Sequence, residues 1–248
     1  MNRDRPTLIL VLFAILLIGC KDEVKEVLAP NSVTDGLEEG EWLIYDENNE
    51  RSYSTGKFNT GSKVNRWKYV RADTSYSVVY KRNPVRANGL SLGVPVFWYE
   101  IKSEDFDFVA VDTISSDVTV IANVIDAPSD TTGILDFVEI ALLGITDSPT
   151  KVVVNCTVQK VALSNGEEII IGRVVYFDNE LGDRRAYRFI YKHLSGQRFL
   201  DASVAGNPSD SSRLSWVFND FLSNIVADGR KVLPYGHEPT EVSPLECD

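Results

Sequence analysis

The chain has two histidines, His193 and His237. His193 falls late in an expected strand beside Lys192, and His237 falls in a proline-rich C-terminal stretch. A hydrolytic triad would need one of them beside a serine and a carboxylate. No Gly-x-Ser-x-Gly is present, and Ser164 and Ser195 flank turns rather than the sharp strand-to-helix elbow that exposes a nucleophile. Both histidines therefore read as surface or edge groups. The chain has no Cys-x-x-Cys and no His-x-x-x-His, the spacings that bring transition-metal ligands together. Asp46-Glu47-Asn48-Asn49-Glu50 opens like a calcium loop, but that pattern requires Gly at its sixth place and Glu at its twelfth. Those places hold Arg51 and Lys57. Glu104-Asp105-x-Asp107 and Asp178-Asn179-Glu180 read as solvated turns. The Gly-rich phosphate loops of nucleotide-binding proteins are missing, and no carboxylate pair is singled out by its setting for glycoside chemistry. The sequence thus assigns no catalytic residue, no metal ligand and no cofactor.

Aromatic side chains give the one candidate binding surface. Tyr187, Phe189 and Tyr191 alternate along one strand, with Tyr176 across a turn, and Trp42, Trp67 and Trp98 add to them. Exposed aromatic faces suit carbohydrate or protein partners. Core packing of the strand stripe against the helices is the stronger reading of the same pattern.

The elements that position these residues begin with a leader. Arg3 and Arg5 precede an unbroken apolar run from Leu8 to Ile18, which ends at Leu17-Ile18-Gly19-Cys20. A membrane-crossing helix needs about 20 apolar residues, so this run is too short for one. It fits the h-region of a signal peptide over residues 1–19. Leu17-Ile18-Gly19-Cys20 resembles the lipobox of bacterial lipoproteins. That resemblance implies that Cys20 carries the lipid and becomes the mature N-terminus, since two or more acyl chains anchor a protein stably. The following Lys21-Asp22-Glu23 resembles the export signal of surface lipoproteins in the Bacteroidota. An outer-membrane, surface-facing address in the cell envelope follows from these resemblances.

Loss of residues 1–19 removes Arg3, Asp4 and Arg5, so a net charge of −11 becomes one unit more negative. Such an acidic chain is a poor match for nucleic acid and for electrostatic docking on anionic lipid. Its 44% of hydrophobic residues can fill a real core. Of three cysteines, Cys20 is assigned to lipid. Cys156 and Cys247 either pair, as an oxidising envelope allows, or stand as a buried small hydrophobe and a free tail thiol.

Residues 20–35 read as the lipidated cysteine and a flexible tether. Residues 36–82 form a distinct segment with a rough self-similarity of about 25 residues. Gly40-Glu41-Trp42-Leu43-Ile44-Tyr45 is followed by Gly56-Lys57-Phe58, Gly61-Ser62-Lys63 and Arg66-Trp67-Lys68-Tyr69. Short aromatic strands separated by turn residues predict hairpins. The segment resembles MORN-like repeats, over one and a half repeats. That resemblance implies glycines at positive φ in the turns and aromatics stacked between hairpins. Asn65 stands where the pattern has Gly, and Asn tolerates the left-handed region.

The main body spans residues 83–233. Phe106–Thr113 and Val118–Ile125 read as strands. Asp130 or Thr131 caps a helix carrying Ile134, Leu135, Val138, Ala141 and Leu142, with Gly144 at its end. Four long strands follow: Lys151–Leu163, Glu167–Phe177, Arg184–Leu194 and Gln197–Val204. Asn165-Gly166 marks the first hairpin turn. Pro208 precedes a second helix, whose apolar face holds Leu214, Val217, Phe218, Phe221, Ile225 and Val226 and which Gly229 ends. Residues 234–248 read as a loose tail. The fold class is α+β, an antiparallel sheet with flanking helices. The element order, with Asn88-Gly89 leading to Pro95-Val96-Phe97-Trp98, resembles the Mog1/PsbP-like group. That implies an α/β/α sandwich, preceded here by the small MORN-like hairpin segment. A cystatin-like or lipocalin-like sheet is the alternative.

The expected function is a membrane-anchored, non-catalytic binding or assembly lipoprotein with an envelope or secreted protein partner. An envelope hydrolase or glycan-binding protein is the second expectation. An immunity-like protein against a secreted toxin is the third, from the antitoxin label that MORN-like repeats carry.

Overall fold

The structure is a computed structural model and describes residues 31–46, 49–72, 74–115, 117–127, 133–233 and 239–245. The leader, Cys20, Lys21, Asp22, Glu23, His237 and Cys247 lie outside the described residues.

The N-terminal segment is a five-stranded antiparallel meander. Its strands are β1 (Ser32–Thr34), β2 (Leu37–Asp46), β3 (Asn49–Asn59), β4 (Ser62–Arg71) and β5 (Thr74–Val79), paired in sequence order. Gly61 takes positive φ (75°) in the β3–β4 turn, whereas Gly40 (φ 73°) and Asn65 (φ 58°) take it inside β2 and β4 rather than in turns. Gly56 serves a different purpose. A Cβ there would lie 2.4 Å from the Trp67 ring, so the missing side chain is what lets the indole lie flat on β3. Phe58 meets Trp42 and Trp67 edge-on, with ring centroids 5.6 and 4.8 Å apart.

Three short strands follow: β6 (Val85–Ala87), β7 (Leu90–Leu92) and β8 (Trp98–Glu100). Then come β9 (Phe108–Asp112), β10 (Thr119–Asp126) and the helix α1 (Ile134–Thr146). Gly133 N–H donates to Asp136 Oδ2 at 2.6 Å and so secures the start of α1. Gly144 lies inside α1 rather than at its end, because the following residues keep helical bonding up to Asp147 N–H on Leu143 O. Four long strands form the expected meander: β11 (Lys151–Leu163), β12 (Glu168–Asp178), β13 (Asp183–His193) and β14 (Arg198–Gly206). The Asn165-Gly166 turn closes the first hairpin, with Gly166 at φ 81° and Asn165 Oδ1 accepting from Glu167 N–H at 3.0 Å.

Asn207 caps a short 3-10 turn, Pro208–Asp210, that leads into α2 (Ser211–Leu222). The apolar face of α2 is Leu214, Val217, Phe218 and Phe221, the i, i+3, i+4, i+7 spacing of an amphipathic helix. The helix stops earlier than the sequence pattern implied. Ile225–Ala227 is instead strand β15, followed by β16 (Arg230–Lys231), so Ile225 and Val226 are buried as sheet residues. A run of apolar residues fits either period, and here the strand pairing of β15 with β7 decides. The tail is not loose throughout: Pro239–Leu245 forms β17, paired with β11 along the sheet edge. Pro239 and Pro244 argue against a strand, yet an edge strand needs only one side of its backbone paired.

The large sheet has the order β17-β11-β12-β13-β14-β10-β9-β8, antiparallel throughout. α1 covers β11–β13 through Val138, Leu142 and Ile145 on Val158, Ile170, Val174, Phe189 and Tyr191. α2 packs on residues of the opposite strand parity, including Ala110, Val120, Ile190, Ala202 and Val204. The small sheet β16-β15-β7-β6 shares that second core. Gly172 has no room for a side chain, since a Cβ would lie 2.0 Å from the Phe189 ring.

Cys156 is disulfide-bonded, so it is not a free buried thiol. Leu245 pairs with Val158. Cys247 stands two residues beyond Leu245 in sequence, as Cys156 stands two before Val158. Among the described residues, no helix is long and apolar enough to cross a membrane.

Candidate functional site

Buried polar groups join the N-terminal meander to the body. Lys63, on β4, donates to Asp220 Oδ1 at 2.9 Å, Tyr69 OH at 3.1 Å and Ser223 Oγ at 3.2 Å. Tyr80 OH donates to both Asp220 oxygens, at 2.6 and 2.8 Å. Lys63 Nζ also lies 5.1 to 5.9 Å from the ring centres of Trp67, Tyr69 and Tyr80. Burial, then the Asp220 charge, pushes the Tyr80 phenol well above its ordinary pKa. A second join is Lys231 on β16, with its ammonium 3.3 Å from Glu38 Oε2 and 4.5 Å from the Phe58 ring centre; it also donates to Gly61 O. Burial pushes the Lys231 pKa down to about 8, against the opposing pull of Glu38. These are positioning contacts: every one of the charges is spent inside the protein.

What they position is a groove of about 520 Å³ between β5 and α2, lined by Tyr76, Ser77, Val78, Phe97, Ile114, Asp210, Ser212, Arg213 and Trp216. Trp216 Nε1 donates to Tyr76 OH at 3.2 Å across it. The Tyr76 ring stacks on Tyr69, with centroids 5.0 Å apart and planes 9° from parallel. Arg213 lies 4.6 Å from the Trp216 ring centre and 5.5 Å from that of Phe97. Its guanidinium is neutralised by Asp112, which is fully buried; the Nε–Oδ2 distance is 2.7 Å. Around the groove the apolar residues Tyr76 (41%), Val79 (38%), Val96 (56%) and Ile114 (67%) are exposed to these degrees. The backbone bond from Val96 N–H to Val79 O brings the two flanks together. Both halves of the molecule contribute, so the groove exists only while the meander is docked.

The six aromatics singled out from sequence do not form a surface. Trp67, Trp98, Phe189 and Tyr191 are buried, and Trp42 and Tyr187 are half-buried. The strand stripe packs under α1 as core, as the alternative reading had it. The polar ends of Tyr187 and Tyr191 are tied to one another and to Ser203 and Asp201. Burial and the Asp201 charge raise both phenols. Sequence reasoning passed over Trp216, Phe97, Tyr76 and Arg213. The available signal was Trp216 itself, a large aromatic set off the apolar face of its helix.

A second cavity, about 410 Å³, is lined by residues that include Glu167, Lys192, His193, Ser195 and Asp228. Its chemistry is self-satisfied. Lys192 Nζ is held by Glu167 Oε2 at 2.7 Å and by the carbonyls of Lys231 and Val232. Hydrogen bonds from Lys192 and Asn165 lower the Glu167 pKa despite burial, the largest influence, acting the other way. Ser195 Oγ bonds Asp228, which is ion-paired with Arg198. His193 meets the Phe199 ring edge-on at 5.0 Å. Among the described residues no group of three or more His, Cys, Asp or Glu side chains is placed to hold a metal ion.

Fold and groove together define an α+β protein built on an antiparallel sheet, with a second β unit fused to it. Among solved structures it is similar to the cyanobacterial PsbP protein CyanoP from Synechocystis, at 14% identity over 56% of this chain and 86% of that one, with a TM-score of 0.44. It is also similar to the Ran-binding protein Mog1p of Saccharomyces cerevisiae, at 10% identity over 61% and 96% of the two chains, TM-score 0.43. LpqN, involved in cell envelope biogenesis of Mycobacterium tuberculosis, matches at 17% identity over 56% and 86%, TM-score 0.40. No family model matches the chain, and no curated protein matches it.

Proposed function

We propose that this protein is a lipid-anchored, non-catalytic binding or assembly protein of the bacterial envelope, facing the cell surface. Its body is read as Mog1/PsbP-like, an α/β/α sandwich, and its meander as MORN-like. The partner is an envelope or secreted protein held in the groove between β5 and α2. The observation that carries this reading is the groove's make-up. Tyr, Trp and Arg side chains are the ones that dominate binding energy at protein interfaces. Here Tyr76, Trp216 and Arg213 converge with exposed Ile114 and Val96 around them. Arg213 is already neutralised, so the groove favours an apolar, shape-matched partner over a polyanion.

The anchor and the partner are tested together by crosslinking the full-length protein in its native cells beside a Cys20→Ala form. The full-length protein is expected to sediment with membranes, to accept a clickable fatty acid, and to retain one envelope or secreted protein repeatedly. The Cys20→Ala form is expected to lose the label and the membrane association. Equal membrane association of both forms contradicts the anchor, and an equal and diffuse set of crosslinked proteins contradicts the partner.

A further inference from the structure

On the face of the large sheet shared with α2, Arg173 and Arg188 stand directly opposite one another in the β12–β13 register. Thr157 lies opposite Arg173 on β11, and Arg184 lies on the same face of β13, two rows along from Arg188. Directly opposed residues of an antiparallel pair have Cβ atoms about 4.5–5.5 Å apart, and like charges at that spacing repel. The chain has 36 acidic residues to 25 basic, so carboxylates to relieve the repulsion are plentiful. None lies among the described positions of β11–β14 on this face. By strand alternation the positions of β11–β14 on this face are Asn155, Thr157, Gln159, Val161 and Leu163, then Ile169 to Phe177, Arg184 to Lys192 and Leu200 to Gly206 in steps of two, and no Asp or Glu falls among them. Arg188 Nε is shielded from solvent and has no hydrogen-bond partner among the described residues. Burial, then the charge of Arg173, pushes the Arg188 pKa down, although a guanidinium stays charged at any working pH.

A donor left unpaired away from water costs stability, and a charged one costs more. Two facing guanidinium forks also offer more N–H donors than one carboxylate accepts, since a single fork already saturates its two oxygens. A tetrahedral oxyanion has enough oxygens for both forks. We infer that Arg173 and Arg188, flanked by Thr157 and Arg184, form a binding site for a phosphate group. The phosphate belongs either to a small soluble phosphate compound or to a phospholipid headgroup. The site lies apart from the groove residues, so its failure leaves the proposed partner binding untouched.

The test uses the full chain in mild detergent, titrated with inorganic phosphate against chloride at matched ionic strength. A second arm measures the full chain's binding to phosphatidylcholine vesicles with and without phosphatidylglycerol. Arg173→Gln and the Arg173→Gln/Arg188→Gln pair are compared with the parent in both arms. Phosphate is expected to raise the parent's melting temperature by about 3 °C or more at tenfold excess over Kd. The double variant is expected to bind about tenfold more weakly or worse, and to be at least as stable as the parent without phosphate, because the repulsion is gone. Exposed Arg173 alone, replaced by Gln, should show the same direction if the double variant folds poorly. Binding in the first arm points to a soluble phosphate source, and binding only to phosphatidylglycerol vesicles points to a headgroup. Binding in neither arm, or binding that both variants retain in full, overturns the site.

Discussion

Replacing Asp220 by alanine is expected to cost about 3–5 kcal/mol of folding stability, because it strands a buried charge. Asp220 accepts from Lys63, Tyr69, Tyr80 and Asn224, and both it and Lys63 are almost inaccessible to solvent. Removing the carboxylate leaves the Lys63 ammonium with only hydroxyl oxygens for partners. Urea unfolding measures the loss directly. Hydrogen exchange should show it concentrated in β4 and β5, whose docking depends on the pair. The pairing of Lys63→Met with Asp220→Leu should recover only part of the stability: the buried charge is gone, but the buried Tyr69 and Tyr80 hydroxyls lose their carboxylate acceptor. A loss below about 1 kcal/mol for Asp220→Ala would contradict the view that this network fastens the meander to the body.

Asp201→Asn is expected to stabilise the protein at neutral pH by about 1–3 kcal/mol. The Asp201 pKa is pushed up to about 6 by burial, with Tyr191 pulling weakly the other way. Its Oδ1 is shielded and has no hydrogen-bond partner among the described residues. A carboxyl whose folded pKa is raised favours folding fully below its unfolded pKa, near 4, and loses that contribution as pH rises through about 6. The parent should therefore lose stability between pH 4 and pH 6.5 from this group, and the Asn form should not. Melting curves across that window decide it. Equal slopes for the two proteins would show that Asp201 does not carry the pH dependence.

Much of the fold was legible because it is local. The β11–β14 meander follows from alternating apolar residues and from turns such as Asn165-Gly166, whose chemistry is fixed by neighbours in sequence. The errors lie where long-range pairing overrides local pattern. Ile225–Ala227 continues an apolar helical spacing, yet pairs with β7, and Pro239–Leu245 looks structureless until β11 offers it an edge. The site was less legible still. Lys63 and Asp220 are 157 positions apart in the chain, and Tyr76 and Trp216 are 140 apart. No spacing rule joins such residues. Local pattern also cannot tell an aromatic stripe that faces water from one under a helix, which is why Phe189 and Tyr191 were candidates and Trp216 was not.

The central claim, that the groove between β5 and α2 holds a protein partner, is tested most directly by photocrosslinking from within it. A photoreactive amino acid at Ser77 of the full-length protein, in its native cells, places the probe among the groove residues; one at Asn179, on the exposed β12–β13 turn, serves as the comparison. The Ser77 probe is expected to yield one discrete higher-mass adduct, and Trp216→Ala should reduce it about tenfold or more, as loss of an interface anchor does. The Asn179 probe should yield none of that adduct. An adduct of equal strength from both positions, or one indifferent to Trp216→Ala, would contradict the groove as the binding site.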